Sequence, residues 1–191
     1  MTDHQDLTQS VRDFWFGPEN SDAFGTDRPE WFEKNADFDD SIRTAFLGSV
    51  EAAIAGDLDE LAKHNAIDCL SLIILLDQFP RNLFRQSAKA FSGDERALRV
   101  ARDAISRGFD SAVPPFQRFF FYLPLEHSEN IADQDRCVEL VAAMNNDLLK
   151  WAVAHRDIIA RFGRFPHRNI ALGRTSTAQE REFLQGPNSS F

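Results

Sequence analysis

The chain has 191 residues, of which 43% are hydrophobic and 27% charged, and its formal net charge is −9; this composition is typical of one folded domain and excludes a disordered chain. The negative charge argues against a general binder of nucleic acid or of anionic membranes, because both need a basic surface. The two cysteines, Cys69 and Cys137, lie in apolar helical patterns, so we expect no disulfide framework and a reducing compartment, the cytoplasm.

Apolar residues recur at helical spacing along the chain, and no segment alternates cleanly at period two, so we predict one all-α domain over residues 1–191 with about eight helices. Residues 69–76 are apolar on almost every side, which is typical of a helix at the centre of a bundle. Asn65 is the expected cap of this helix and Pro80 its expected stop. The predicted helices of this half are Asp6 to Phe16 (stopped at Gly17), a short helix beginning at Pro29, about Asp37 to Ala55 (stopped at Gly56), a turn at Asp59 to Lys63, and Asn65 to Gln78.

The second half of the chain contains the clearest periodicity. Apolar residues recur at spacings of three and four between Cys137 and Phe162, which predicts one long helix or two helices broken near residues 145–146. Ser128 is the expected N-cap here, with Glu129 in the first turn, where the helix dipole favours an acid. The other predicted features are a capping box at Ser92 for a helix that ends near Gly108, a helix from Pro115 through Leu123 that Pro124 ends, a terminating glycine at Gly163, an ordered loop at 165–176, and a capping box of Thr177 with Glu180.

Charge is unevenly distributed along the chain. Residues 1–80 contain 5 basic and 17 acidic side chains, a net charge of −12, whereas residues 81–191 contain 16 basic and 13 acidic side chains, a net charge of +3. No acidic residue occurs from 158 to 179, and the four cations there are all arginine, which suits planar contacts with a carboxylate or phosphate. This segment either binds an anion or pairs internally with the acidic half. Its basic side chains are Arg161, Arg164, His167, Arg168 and Arg174.

A candidate acid/base group follows the phenylalanine-rich residues 119–122. Glu126 and His127 lie directly after these rings, and shielding by them would raise the pKa of a carboxyl group or lower that of an imidazole. His155 lies on the apolar stripe of the long predicted helix, where an imidazole must find partners. A single inward histidine is more often a core residue, but together the three predict catalytic acid/base residues: Glu126, His127 and His155.

Asp77 projects from the buried side of the central predicted helix, three and four residues after Ile74 and Ile73, and a buried Asp needs a partner such as Arg81. The alternative is an ion pair that only locks two helices together. Residues 161–169 form a polar loop between aromatic anchors, the usual way to present a binding site. The predicted ligand-binding residues are Asp77, Arg81, Arg161, Arg164, His167, Arg168 and Asn169, with Phe79, Phe119 to Phe121, Phe162 and Phe165 as walls.

Standard catalytic and cofactor motifs are absent from the sequence: it contains no HExxH, CxxC, GxxxxGK[ST], GxSxG or GxGxxG. The spacing of His127, His155 and His167 matches no standard helical pair of metal ligands. We therefore expect no metal and no cofactor.

The sequence resembles a family of bacterial proteins, domain-of-unknown-function family 924, over nearly its whole length, and the stretch FGRFPHRN at 162–169 is specific. This resemblance implies an all-helical, tetratricopeptide-like fold and no particular reaction. The matching stretches are 13–17 (DFWFG), 31–32 (WF), 77–82 (DQFPRN), 123–129 (LPLEHSE), 155–169, 172–177 (LGRTST) and 190–191 (SF).

Three functions are consistent with these observations. The first is a pocket that binds a small carboxylate or phosphate, with or without acid/base chemistry. The second is a peptide-binding module, since tetratricopeptide-like domains bind extended segments along a concave face. The third is a purely structural network of polar side chains.

Overall fold

The computed structural model describes residues 2–26, 28–145, 147–187 and 189, and within them all regular structure is helical, which confirms the all-α prediction. A π-helical stretch, Ile74–Gln78, joins two of the ten α-helical segments in the described residues without a break, so these segments form nine continuous helices. Asn146 and residues 190–191 lie outside the described residues. The helices are α1 (Thr2–Phe16), α2 (Ala36–Ala55), α3 (Leu61–His64), α4 (Ala66–Ile73), α5 (Phe79–Leu83), α6 (Asp94–Ser106), α7 (Pro115–Glu126), α8 (Ile131–Ala143), α9 (Leu149–Phe162) and α10 (Ala178–Phe183).

The continuous helix made of α4, the π-helical stretch and α5 lies at the centre of the molecule, as its apolar residues predict. Leu70 and all five residues at 72–76 are fully buried. Helices α1, α3, α6 and α7 contact α4, and α2 packs against α5. Burial of each such side chain stabilises the fold by about 1.5–3 kcal/mol, so the polar residues on this helix are held in fixed positions.

Part of the phenylalanine excess forms an aromatic core beside the central helix. The ring of Trp15 lies 5.5 Å from that of Phe79 and 5.9 Å from that of Phe120, both in edge-to-face geometry. Trp31 lies 5.1 Å from Phe120, again edge to face. Such pairs add about 0.5–1.5 kcal/mol each beyond burial, and they account for Phe79 and Phe120 without a role in ligand binding.

Two prolines predicted to end helices lie inside continuous helices, and both predictions were wrong. Pro80 lies in the first turn of α5, where the preceding π-helical stretch widens the helix and relieves the clash that the ring would make in a regular α-helix. Pro124 lies inside α7, which continues to Glu126 because all residues at 119–126 are buried and their packing outweighs the lost hydrogen bond. Asp77 and Arg81 therefore lie on one continuous helix.

Several helix ends lie where the sequence predicts them. The side chain of Asn65 accepts hydrogen bonds from the backbone of Ile67 and Asp68 and caps α4. Gly56 and Gly163 end α2 and α9 in the left-handed conformation. The capping box of Thr177 with Glu180 is present at α10, and α8 and α9 are two separate helices.

Three predicted helix starts were wrong. Helix α1 begins at Thr2 instead of Asp6. The Ser92 hydroxyl donates to the Lys89 carbonyl, so it forms no capping box for α6. Helix α8 is capped by Asn130, whose side chain accepts from the backbone of Ala132, so Ser128 and Glu129 precede the helix and contact other side chains. The side chains of Ser92, Ser128 and Glu129 bond to other nearby partners instead of capping a helix.

Gly93 allows the start of α6 to approach the central helix closely. A Cβ atom at this position would lie 2.1 Å from the carbonyl oxygen of Leu76. Pro80 has no N–H to donate to that carbonyl, which faces Gly93 instead. This close approach places the next residue, Asp94, beside Arg81.

A smaller apolar cluster lies at the C-terminal end, built from Ile158, Ile159 and Phe165. It anchors the loop between α9 and α10, as the sequence predicts for its aromatic residues. Cys69 and Cys137 are buried and unbonded to each other, as predicted. Among the described residues, no helix has the length and apolar character needed to cross a membrane. The tetratricopeptide-like arrangement stays a prediction.

Candidate functional site

A buried carboxylate–imidazole pair forms the centre of the site. Oδ1 and Oδ2 of Asp77 lie 2.8 and 3.0 Å from Nδ1 of His127, and the Gln78 amide donates to Oδ2 at 2.5 Å. The π-helical stretch turns Asp77 into the interior, where it is fully buried, and His127 follows the end of α7. The two residues are 50 positions apart, so only the packing of α7 on the central helix joins them.

The electrostatics of this pair leave His127 as a neutral base. Burial works against the ionised form of Asp77, but the charge of Arg81 and the hydrogen bonds from His127 and Gln78 outweigh it and hold the pKa of Asp77 well below its usual range. Burial, aided by the charge of Arg81, lowers the pKa of His127. A carboxylate only accepts hydrogen bonds, so Nδ1 of His127 carries the hydrogen and Nε2 carries the lone pair.

Arg81 ties this pair to the start of α6. Its guanidinium donates to both carboxylate oxygens of Asp94, at 2.8 and 3.0 Å, and to the backbone carbonyl of Asp77 at 2.5 Å. The same guanidinium lies 3.4 Å from the Asp77 carboxylate. The sequence predicts Arg81 as the partner of Asp77, but it offers no local signal for Asp94, which we read only as part of a capping box.

Arg168 is a buried guanidinium with incomplete hydrogen bonding. Its side chain is 7% exposed, donates to the His127 carbonyl at 3.0 Å and makes a long contact of 3.5 Å with Asp94. Its Nε atom has no hydrogen-bond partner among the residues that the structure describes. The rings of Phe91 and Phe165 lie 4.9 and 4.4 Å from the guanidinium carbon. Burial and the nearby charge of Arg81 lower the pKa of Arg168 to about 10.

The imidazole of His155 and the protonated carboxyl group of Glu126 lie next to the pair of Asp77 and His127. Oε1 of Glu126 is 3.3 Å from Nδ1 of His155, which donates to the Trp151 carbonyl at 2.9 Å. Burial and the charge of Asp77 raise the pKa of Glu126 to about 8. Burial lowers the pKa of His155 to about 3. At neutral pH the two side chains are therefore uncharged.

The predicted ligand-binding residues separate into two groups. Asp77, Arg81 and Arg168 converge on His127, and His167 lies near them, its ring 5.5 Å from that of Phe165. Burial and the charge of Arg168 lower the pKa of His167 to about 4.

The second group is Arg161, Arg164 and Asn169, and the last two hold the C-terminal loop through an ion pair and a hydrogen bond. Arg164 donates to both oxygens of Glu180, at 2.6 and 2.8 Å, and the Asn169 amide donates to the Ser176 hydroxyl at 3.0 Å. The Arg164 hydrogen bonds hold the pKa of Glu180 at about 2. Arg161 stacks on Phe162 at the surface, with its guanidinium carbon 4.6 Å from the ring centre.

An open cleft of about 270 Å³ is lined by two of these residues, His127 and Arg168. His127 carries the ring lone pair, and Arg168 is the guanidinium with incomplete hydrogen bonding. Glu129 also lines the cleft and accepts from Arg174 at 2.6 and 2.9 Å. Sequence reasoning assigned Glu129 to a helix turn and missed this pairing, which spans 45 residues.

Metal binding finds no support in this geometry. Within the described ranges, no group of three or more His, Cys, Asp and Glu side chains is arranged to hold an ion. The chemistry open to the site is proton transfer at His127 together with hydrogen bonding from Arg168.

The raised pKa of Glu126 predicts a specific loss of stability above neutral pH. Its folded pKa of about 8 exceeds the ordinary glutamate pKa of 4.5, so the stability that it contributes is complete below pH 4.5 and is lost as pH rises toward 8. Between pH 7 and 8 the free energy of unfolding should fall by up to about 1.4 kcal/mol per pH unit. In Glu126→Gln this slope should vanish, as measured by urea unfolding at each pH.

The matched control is Glu139→Gln, since Glu139 lies on α8 with an exposed side chain paired to Arg136. This variant should keep the wild-type slope. An unchanged slope in Glu126→Gln would contradict a protonated Glu126 in the folded protein.

Comparison with known proteins places the chain among proteins of unknown function. The model of a bacterial protein family, described as bacterial protein of unknown function (DUF924), matches residues 11–188. The solved structure of a protein of unknown function from Agrobacterium tumefaciens is 41% identical, with a TM-score of 0.84 over 95% of this chain and 99% of that chain. No curated protein matches the chain.

Proposed function

The chain belongs to the DUF924 family of bacterial proteins of unknown function, and we propose that its cleft binds a small anionic ligand, a carboxylate or a phosphate, with His127 as the acceptor of any acidic proton that the bound ligand still carries. The observation that carries this proposal is the pairing, in one open cleft, of a neutral imidazole with a buried guanidinium whose Nε is unsatisfied. A buried donor without a partner costs about 1–3 kcal/mol, and an anion in the cleft would recover part of that cost.

Arg168 is the proposed anchor of the anion. Arg81 already uses both of its terminal nitrogens on Asp94, whereas the contact of Arg168 with Asp94 is long, at 3.5 Å. The rings of Phe91 and Phe165 keep the guanidinium out of water. A charge-assisted hydrogen bond from such a group is stronger and more directional than one at the surface.

His127 is the proposed proton acceptor. Asp77 orients its ring and fixes the tautomer, which leaves Nε2 as the base. The Asp77 carboxylate would stabilise the imidazolium that forms when His127 takes a proton. The sequence predicts Glu126 and His155 as catalytic. Here they take a positioning role, because they are uncharged and lie behind the Asp77–His127 pair.

Loss of anion binding on substitution of Arg168 is the direct test. Acetate or inorganic phosphate should raise the melting temperature of the wild-type protein, and a ligand at about 100 times its Kd should stabilise the fold by about 2.7 kcal/mol. In Arg168→Met this stabilisation should disappear, while Arg168→Lys should keep part of it because the charge remains. The measurement is a thermal-shift titration of each variant against its own unliganded state.

Arg161→Met serves as the control, since Arg161 lies at the surface away from the cleft. It should respond to both anions as the wild type does. If Arg168→Met keeps the full thermal shift with anion, the polar side chains around His127 and Arg168 serve only to stabilise the fold, as in the structural alternative. The peptide-binding alternative stays a prediction, because it rests on the resemblance and on no particular contact.

A further inference from the structure

Part of the wall of the cleft is apolar. Leu98 from α6, Pro124 from α7 and Leu172 from the loop before α10 line it. The volume of about 270 Å³ lies below the range of about 300–1,000 Å³ usual for drug-sized ligands. A ligand that fills this cleft is therefore small, and the lining offers it both a guanidinium at Arg168 and aliphatic side chains such as that of Leu172.

The loop that carries Leu172 exposes a second aliphatic side chain and is firmly held. Ile170 is 91% exposed and Leu172 is 37% exposed. The same loop is fixed by Arg174, which donates to Glu129 and to the carbonyl of Phe165. Both aliphatic side chains are exposed to solvent, and that of Leu172 lines the cleft.

The charges of the cleft limit the ligand to one negative group. Its lining contains a single guanidinium, Arg168, against three acids, Asp94, Glu95 and Glu129. Arg81 and Arg174 hold Asp94 and Glu129, while Glu95 is paired with the exposed Arg99. A second negative charge on the ligand would lie near these acids, and the lining contains no second arginine to pair with it. We therefore expect that charge to be repelled.

From these observations we infer that the ligand is a monocarboxylate with a short aliphatic chain, whose carboxylate binds Arg168 and whose chain packs on Leu98, Pro124 and Leu172. This inference rests on the proposed function, since it assumes that the cleft binds an anion at Arg168. It narrows the ligand class from any small carboxylate or phosphate to an amphipathic acid of single charge.

The first arm of the test is chain length. Acetate, butyrate and hexanoate are titrated into the full chain, and Kd is read from NMR chemical shifts. Burial of each methylene should tighten binding about fourfold until the cleft is full. Equal affinity along the series would overturn the inference, even if acetate binds and the proposed function stands.

The second arm compares ligands of matched length and different charge. Butyrate should bind more tightly than succinate, which places a second carboxylate among Asp94, Glu95 and Glu129. Tighter binding of succinate, or binding of phosphate without any carboxylate, would overturn the inference and leave anion binding in place. Failure of every acid and of phosphate would overturn the proposed function itself.

The third arm tests the apolar wall. In Leu172→Asn the ratio of hexanoate affinity to acetate affinity should fall toward one, because the chain loses its apolar contact. Ile131→Asn is the matched control, an aliphatic side chain on α8 that is 41% exposed and does not line the cleft; its ratio should equal that of the wild type. If Leu172→Asn leaves the ratio of hexanoate to acetate affinity unchanged, the ligand's aliphatic chain does not pack on Leu172.

Discussion

Replacing Gly93 with alanine should lower the free energy of unfolding by about 3 kcal/mol, near the upper end for overpacked sites. The backbone angles of Gly93 are open to any residue, with φ −92° and ψ −12°, so the cost is purely steric. The new Cβ would lie 2.1 Å from the carbonyl oxygen of Leu76, and neither backbone can yield cheaply. Urea unfolding of the wild type and the variant measures this cost.

A second consequence of Gly93→Ala concerns the site. Displacement of α6 would move Asp94, Glu95 and Leu98, which line the cleft, so the cleft should change shape and anion binding should weaken together with stability. Gly48→Ala is the matched control, because Gly48 lies within α2 with no atom within 4 Å of the added Cβ. It should stabilise the protein by about 0.5–1 kcal/mol. If Gly93→Ala and Gly48→Ala changed the free energy of unfolding equally, the close approach of α6 to the central helix would not be needed.

Replacing Asp77 with asparagine should cost about 3–5 kcal/mol of stability, since removal of one partner leaves buried charge uncompensated. Arg81 would lose the carboxylate 3.4 Å away, and His127 would lose its ionised acceptor. The Asp77 carboxylate raises the pKa of His127 against the effect of burial. In Asp77→Asn the pKa of His127 should therefore fall further below its usual value.

Two measurements separate the structural role of Asp77 from its role as a positioning residue. Chemical unfolding gives the stability, and NMR titration of the His127 ring gives its pKa. Asp135→Asn is the control, since Asp135 forms a half-exposed pair with Arg156 and its loss should change stability by less than about 1 kcal/mol. The orienting role of Asp77 is refuted if His127 titrates at the same pH in Asp77→Asn and the wild type.

Local patterns predicted much of the fold. The cap at Asn65, the glycine stops at Gly56 and Gly163, and the capping box at Thr177 depend on hydrogen bonds within a few residues. Short-range rules of this kind do not need the tertiary structure. The same reasoning failed at Pro80, because burial of the central helix outweighs the local cost of a proline.

The candidate site was only partly predictable for the same reason. Asp77 was identified as buried from its helical position, and Glu126, His127 and Arg168 from their unusual composition. Their partners were not, because those contacts join residues far apart in the chain: His127 with Asp77 across 50 positions and Arg168 with Asp94 across 74.

By itself, the sequence determined that this protein is all-α, where most helices end, and which polar residues need partners, since periodicity, caps and burial follow from neighbours along the chain. Only the tertiary structure decided how the arginines are used. Arg164 is neutralised by Glu180 in the C-terminal loop, whereas Arg168 is buried beside His127 with one nitrogen unsatisfied. Arg164 and Arg168 have identical side chains four residues apart, but charge pairing depends on distance in space. The packing of α6 and α7 on the central helix sets that distance.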